Sequence, residues 1–214
     1  MRKISKSEEP LELAQWKRKN PKLYRYDDLN DNSGKIARQK INQQNIEDQL
    51  GLCAYCCKRI DVNNSMNEHL IPRDKDHTKE LDFSNILASC TTKKQCDNAH
   101  KSQDLPLTPL MPECETELQF FLSGDVKGKT AKATTTIEVL RLDNRSLKET
   151  RKQLIAEILI CQGVPPDDLP FLEDDMLLSI MLEDLKQPKE NLLEPFSPVL
   201  ANILRQYLIN DEAV

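Results

Sequence analysis

Apolar residues are unevenly spread along the 214-residue chain, and their spacing predicts a mixed architecture. Near the start they are sparse: Ile4, Leu11, Leu13, Trp16, Leu23, Tyr24 and Tyr26 stand among charged and turn-forming residues. That stretch reads as a loosely ordered arm with aromatic anchors. From 33 to 50 a partial stripe of Ile36, Ala37, Ile41 and Leu50 predicts a helix, with Ser33 as its cap and Gly51 as its stop. Residues 116–123 and 126–129, split by Gly124-Asp125, predict a hairpin, and the β-branched run 134–142 predicts a short strand. Asn144 then opens a helix, with Ser146 and Glu149 in capping-box spacing, whose inner face would be Leu147, Leu154, Ile155, Ile158 and Leu159. Gly163 and the prolines after it end that helix. A second helical stripe covers 169–186, and a third runs from Ser197-Pro198 through Val199, Leu200, Ile203, Leu204, Tyr207 and Leu208.

These elements define an α+β chain. Four segments follow: a basic N-terminal arm at 1–32, a central domain at 33–113, a completing hairpin, strand and helix at 114–162, and an acidic helical region at 163–214.

Charge changes this picture. The net charge of −5 argues against a simple polyanion binder, but it hides an asymmetry. Residues 1–60 carry 13 Lys+Arg against 8 Asp+Glu, whereas 114–214 carry 11 against 18. A basic front and an acidic back can address a nucleic acid at one end and a protein at the other. In the arm, Trp16 precedes Lys17-Arg18-Lys19, and Tyr24 and Tyr26 flank Arg25, an interleaving that can stack on bases and pair with phosphates. The plainer reading is a solvated arm folded onto the body or a partner. No apolar run approaches the ~18 residues of a membrane span, and no secretory leader opens the sequence, so a cytoplasmic protein with reduced thiols is expected.

Of seven cysteines, five lie between 53 and 96. Cys53 and Cys56 have C-x-x-C spacing, and Cys90 and Cys96 bracket five residues. Four thiolates from two turns can close a tetrahedral structural zinc site. Between and after the pairs lie Glu68-His69-Leu70-Ile71-Pro72, Asn85, and Asp97-Asn98-Ala99-His100-Lys101. Asp97 and His100, three apart, would share a helical face. Glu68 and His69 are adjacent, so they need a strand end to address one site.

This constellation resembles the HNH endonucleases, with their ββα-metal finger, in the subtype stapled by a zinc knuckle. The resemblance implies metal-dependent hydrolysis of phosphodiester bonds, with DNA expected ahead of RNA as the substrate. It makes His69 the general base, Asn85 its orienting partner through a ring nitrogen, and Glu68 with His100 the ligands of a catalytic Mg²⁺ or Mn²⁺. Asp97 and Asn98 compete with His100 for the last ligand place, and Lys101 is a phosphate contact. The order of the basic arm, the Cys-Ala-Tyr-Cys knuckle, the Glu-His-Leu-Ile-Pro element and a later Thr-Ile-Glu-Val-Leu-Arg-Leu-Asp segment is similar to the retron/Septu HNH nuclease subunits of anti-phage defence. That likeness implies an ABC-type ATPase partner, with a retron reverse transcriptase and its RNA/DNA as further company. The competing reading is a zinc-stapled adaptor that binds nucleic acid or protein without cutting.

Overall fold

A computed structural model describes residues 1–209. Its elements in order are α1 (Leu11–Lys19), α2 (Asn32–Asp48), β1 (Ser65–His69), β2 (Ile86–Cys90), α3 (Asp97–His100), β3 (Leu118–Phe120), β4 (Val126–Gly128), α4 (Ala131–Leu140), α5 (Arg145–Cys161), α6 (Asp175–Asp184) and α7 (Ser197–Ile209). The two sheets are antiparallel hairpins, β1 with β2 and β3 with β4. The mixed α+β class is therefore as the sequence predicts. The last expected segment, 163–214, runs past the described residues at 210–214.

The N-terminal segment is not a loose arm. Leu13 and Trp16 of α1 are buried with Leu29, Ala37, Ile41, Leu81, Phe83 and Ile86 in a small second core. The Trp16 indole donates to Asp31 at 3.2 Å. Asp31, rather than Ser33, caps α2: its carboxylate accepts from the Gly34 amide. Met1 and Ile4 are buried in the main core. Apolar contact of a few large side chains is enough to order a segment whose average composition is polar.

Residues 134–142 depart from expectation, since 131–140 form the helix α4 rather than a strand. Thr130 caps it by accepting from Ala133 N at 3.2 Å. Ala133, Thr136, Ile137 and Leu140 then fall on one buried face. The β-branched threonines are weak helix formers, and burial of this face overrides their preference. The following helix behaves as predicted, with Asn144 accepting from Leu147 N at 2.9 Å. α6 is shorter than the predicted 169–186 and follows a 3₁₀ turn at Leu169–Phe171.

The β3–β4 hairpin turns at Gly124, whose φ of +82° suits glycine. The exposed edge of β3 is covered by α7. Asn202 accepts from Phe120 N at 3.0 Å and donates to Leu118 O at 2.9 Å, and Gln206 donates to Phe120 O at 3.0 Å. Side-chain amides thus stand in for a missing strand and block edge pairing.

Candidate metal centre and active site

Cys53 and Cys56 come from the turn after α2, Cys90 from the end of β2, and Cys96 from the turn before α3. All four are buried, and their sulfur atoms lie within 4.8 Å of one another. Cys53 and Cys96 are 3.9 Å apart, as are Cys56 and Cys90. Four sulfurs at about 2.3 Å from a tetrahedral zinc would sit about 3.8 Å from each other, so the donor set and spacing fit. The Cys90 amide donates to Cys53 Sγ at 3.3 Å, and the buried Gln95 amide points at Cys56, Cys90 and Cys96 at 3.7–3.9 Å. Donors aimed at sulfur favour thiolates, as a metal requires. The turns take up positive φ at Cys57, Lys94 and Cys96, a conformation side chains rarely adopt. Cys57, Cys114 and Cys161 stand outside the cluster.

The register of β1 and β2 sets the second site: Glu68 is opposite Leu87 and His69 opposite Ile86, at the end of the ladder. Because the strand stops there, both residues reach the same cleft of about 680 Å³, which Asp97 and Lys101 also line. Glu68 Oε1 lies 2.5 Å from His100 Nδ1 and accepts from the Tyr55 hydroxyl at 2.9 Å. His100 Nε2 meets Gln103 O at 2.8 Å. A carbonyl only accepts, so Nε2 carries the proton and Nδ1 presents its lone pair to the carboxylate. Two acceptors at that distance need a proton or a cation between them.

Asp97 bears on the same point. Burial, together with the neighbouring Glu68 carboxyl, pushes its pKa up to about 8. Burial also raises Glu68. Two carboxyls and an imidazole crowded together at the edge of a cleft are a donor set suited to a divalent cation. Among the described residues, however, only the four cysteines have ligand atoms all within 4.8 Å of one another; Glu68, Asp97 and His100 are not such a closed set. Asn98 instead uses its side chain locally, accepting from Lys94 N at 2.6 Å, in the knuckle turn.

His69 is buried, which lowers its pKa and favours the neutral ring. Its Nε2 donates to Glu80 O at 2.9 Å, leaving Nδ1 as the basic nitrogen. The expected bond from Asn85 to this ring is not what the structure shows. Asn85 accepts from Ile71 N at 2.8 Å and donates to Ile71 O at 3.1 Å and Lys79 O at 3.2 Å. It pins both ends of the 71–79 loop, and Glu80, directly after that loop, supplies the carbonyl that holds His69. The correction has a simple cause: a planar amide facing backbone on both sides satisfies all its polar atoms there.

Other participants come from far along the chain. The Tyr26 ring meets His69 edge-on, with centroids 4.9 Å apart at 86°. Its hydroxyl accepts from Asn67 at 2.8 Å, and its amide donates to the buried Glu80 carboxylate at 2.8 Å. Glu80 also takes Arg25 Nε at 2.5 Å and His77 Nδ1 at 2.9 Å. Arg25, Arg38 and Arg73 line the cleft wall. Only the Tyr24-Arg25-Tyr26 interleaving signals any of this in the sequence.

The fold and site together define an α+β protein with a closed four-cysteine cluster beside an open acid–imidazole cleft. No protein-family model matches the chain. It is similar to a protein of Vibrio cholerae serotype O1 biovar El Tor named "Retron Vc95 putative HNH endonuclease", with 25% identity over 139 residues. The likeness covers 58% of this chain and 66% of that relative's length. No helix among the described residues is long and apolar enough to cross a membrane.

Proposed function

We propose that this chain is a metal-dependent HNH endonuclease, a ββα-metal finger stapled by zinc on Cys53, Cys56, Cys90 and Cys96. The observation that carries the reading is the contact of Glu68 with Nδ1 of the buried His100, behind a cleft that Glu68 and a neutral His69 both line.

Glu68 and His100, with Asp97, would hold Mg²⁺ or Mn²⁺. When bound, such an ion polarises the phosphoryl group and offsets charge on the leaving oxygen. His69 takes the proton of the attacking water at Nδ1, while its Nε2 stays tied to Glu80 O. Burial keeps that ring unprotonated near neutrality, which is the state a base needs. Asn85 acts through the backbone, holding the loop that leads to Glu80. Lys101 adds a cation at the cleft for the phosphate backbone. DNA is the substrate we favour.

The relative's name places it in a retron. We extend this to a defence role for the chain, with an ABC-type ATPase as its partner. The surface for a protein partner would be the acidic C-terminal region. There Phe171, Met176 and Ile180 are exposed, and carboxylates Asp174, Asp175 and Glu183 surround them in the sequence.

The test is His69→Ala, assayed with Mg²⁺ and Mn²⁺, on the chain alone and together with a candidate ABC-type ATPase partner. Cleavage should fall by about 10²–10⁴-fold at an unchanged melting temperature. Wild-type cleavage by that variant overturns the mechanism. Binding by the wild type without any cleavage would instead mark a zinc-stapled adaptor.

A further inference from the structure

The cleft wall contains an arrangement that the hydrolytic chemistry leaves unused. Arg38 of α2 and Arg73 of the loop after β1 both face the Tyr26 ring, at 4.5 Å and 5.6 Å from its centroid. That same ring rests against His69. Between the two guanidinium groups sits one carboxylate, Asp27, 2.8 Å from Arg73 and 3.8 Å from Arg38. Arg38 is further fixed by donating to Tyr26 O at 2.6 Å. The Asp27 side chain is 76% exposed although it bridges two cations, so it is held by charge and not by packing.

We propose that Arg38 and Arg73 form a subsite for one backbone phosphate of the nucleic acid, and that Asp27 fills this subsite in the free protein and is displaced on binding. The inference rests on the nuclease reading of the cleft and adds to it a specific anchor. Planar guanidinium groups accept a phosphodiester in the way they accept a carboxylate, with paired N–H donors on two oxygens. Exposed ion pairs contribute only about 0–1 kcal/mol, so a polyanion that brings several phosphates displaces Asp27 at little cost. The shared Tyr26 ring fixes the distance from this phosphate to His69, and that would set which phosphodiester meets the base. Asp27 then acts as a built-in competitor, lowering affinity for stray nucleic acid without touching the chemistry.

The experiment measures binding of a labelled mixed-sequence DNA duplex, and of the same sequence as RNA, across a salt series with no divalent cation added. Asp27→Asn should bind roughly two- to fivefold more tightly than wild type. The double variant Arg38→Ala/Arg73→Ala should bind more weakly and lose about 1 from the slope of log affinity against log salt. Arg38→Lys/Arg73→Lys should recover the slope. Asp27→Asn carries the test even if loss of Arg38 unfolds the protein, because Asp27 is exposed. Unchanged affinity in Asp27→Asn, an unchanged slope in the alanine pair, or no binding of either nucleic acid by the wild type overturns the subsite. If the variants shift binding as expected but nothing is cut once Mg²⁺ or Mn²⁺ is added, the subsite stands and the nuclease reading falls. If the wild type cuts while every variant binds as it does, the nuclease reading stands alone.

Discussion

The two clusters that share the 53–101 stretch are built to opposite specifications. The cysteine cluster is made of four soft donors, all buried, with sulfur atoms mutually within 4.8 Å. A ligand shell that is complete and dry has no place for a substrate, so it can only hold structure. The Glu68 site uses oxygen and nitrogen donors, and one side of it opens on a cleft of about 680 Å³. Burial pushes both of its carboxyls toward protonation, and Glu68 pushes Asp97 further the same way. The first cluster is thus closed, and the second is open and strained in its charges. They touch through two residues. Tyr55, between Cys53 and Cys56, donates to Glu68 at 2.9 Å, and Ser89 lies 3.9 Å from Cys53 Sγ while accepting from Asp97 N at 3.2 Å. The closed cluster therefore fixes the frame on which the open one is held.

The largest effect should come from breaking the closed cluster. Cys90→Ser, or exposure of the wild type to a strong chelator, removes the metal that we assign to the four thiols. Structural zinc contributes on the order of 10 kcal/mol in small finger peptides. Even part of that exceeds the few kcal/mol of stability a domain can lose and remain folded. The expected result is loss of the bound zinc, by elemental analysis, together with loss of the cooperative melting transition. A variant that melts like the wild type would remove the distinction between the clusters.

The open cluster should respond the other way. Glu68→Gln keeps an acceptor for Tyr55 but takes away the negative charge facing His100. Affinity for Mn²⁺, titrated against zinc-loaded protein, should fall by at least the roughly 10–100-fold seen when even outer partners of a metal site are changed. The melting temperature should hold or rise, since a buried carboxylate is costly. A fall in stability with no change in Mn²⁺ binding would make Glu68 a structural residue like the cysteines.

A smaller effect separates residues that act through the backbone from residues at the reacting centre. Asn85→Ala removes three hydrogen bonds that pin residues 71 and 79. The unfolding free energy should fall by about 1–3 kcal/mol, the cost of three lost hydrogen bonds to part-buried backbone groups. Cleavage should weaken along with stability rather than vanish. Loss of cleavage as complete as in His69→Ala, at full stability, would return Asn85 to the role of a direct partner of the ring.

The same contrast explains what could be read from the chain alone. The cysteines and the Glu-His-Leu-Ile-Pro element are legible because their chemistry depends on local spacing. Arg38, Arg73 and Glu80 are not, because folding brings them to His69 from α2 and from the loop after β1. No short-range pattern marks an arginine that will face an aromatic ring 12 residues away in sequence. The α4 helix was masked for a related reason: Thr134, Thr135 and Thr136 carry a local preference that only the buried Thr136 face overrules. The order of the N-terminal segment likewise rests on a few buried side chains, Ile4, Leu13, Trp16 and Leu29 among them, which average composition conceals.

The smallest predicted effect tests how far the open site extends. Tyr26 offers His69 a ring edge and offers Asn67 a hydroxyl. Asn67 also donates to Arg38 O at 2.9 Å, so its amide keeps a partner when the hydroxyl is removed. Tyr26→Phe should therefore cost less than about 1 kcal/mol and leave cleavage near the wild-type rate. Tyr26→Ala should lower cleavage clearly, because His69 loses its packing surface and the guanidinium groups of Arg38 and Arg73 lose the ring they share. If Phe proves as harmful as Ala, the hydroxyl and not the ring is what matters. The polar network would then reach through Asn67 into β1, and the acid–imidazole cleft would need its whole strand, not only its end, held in register.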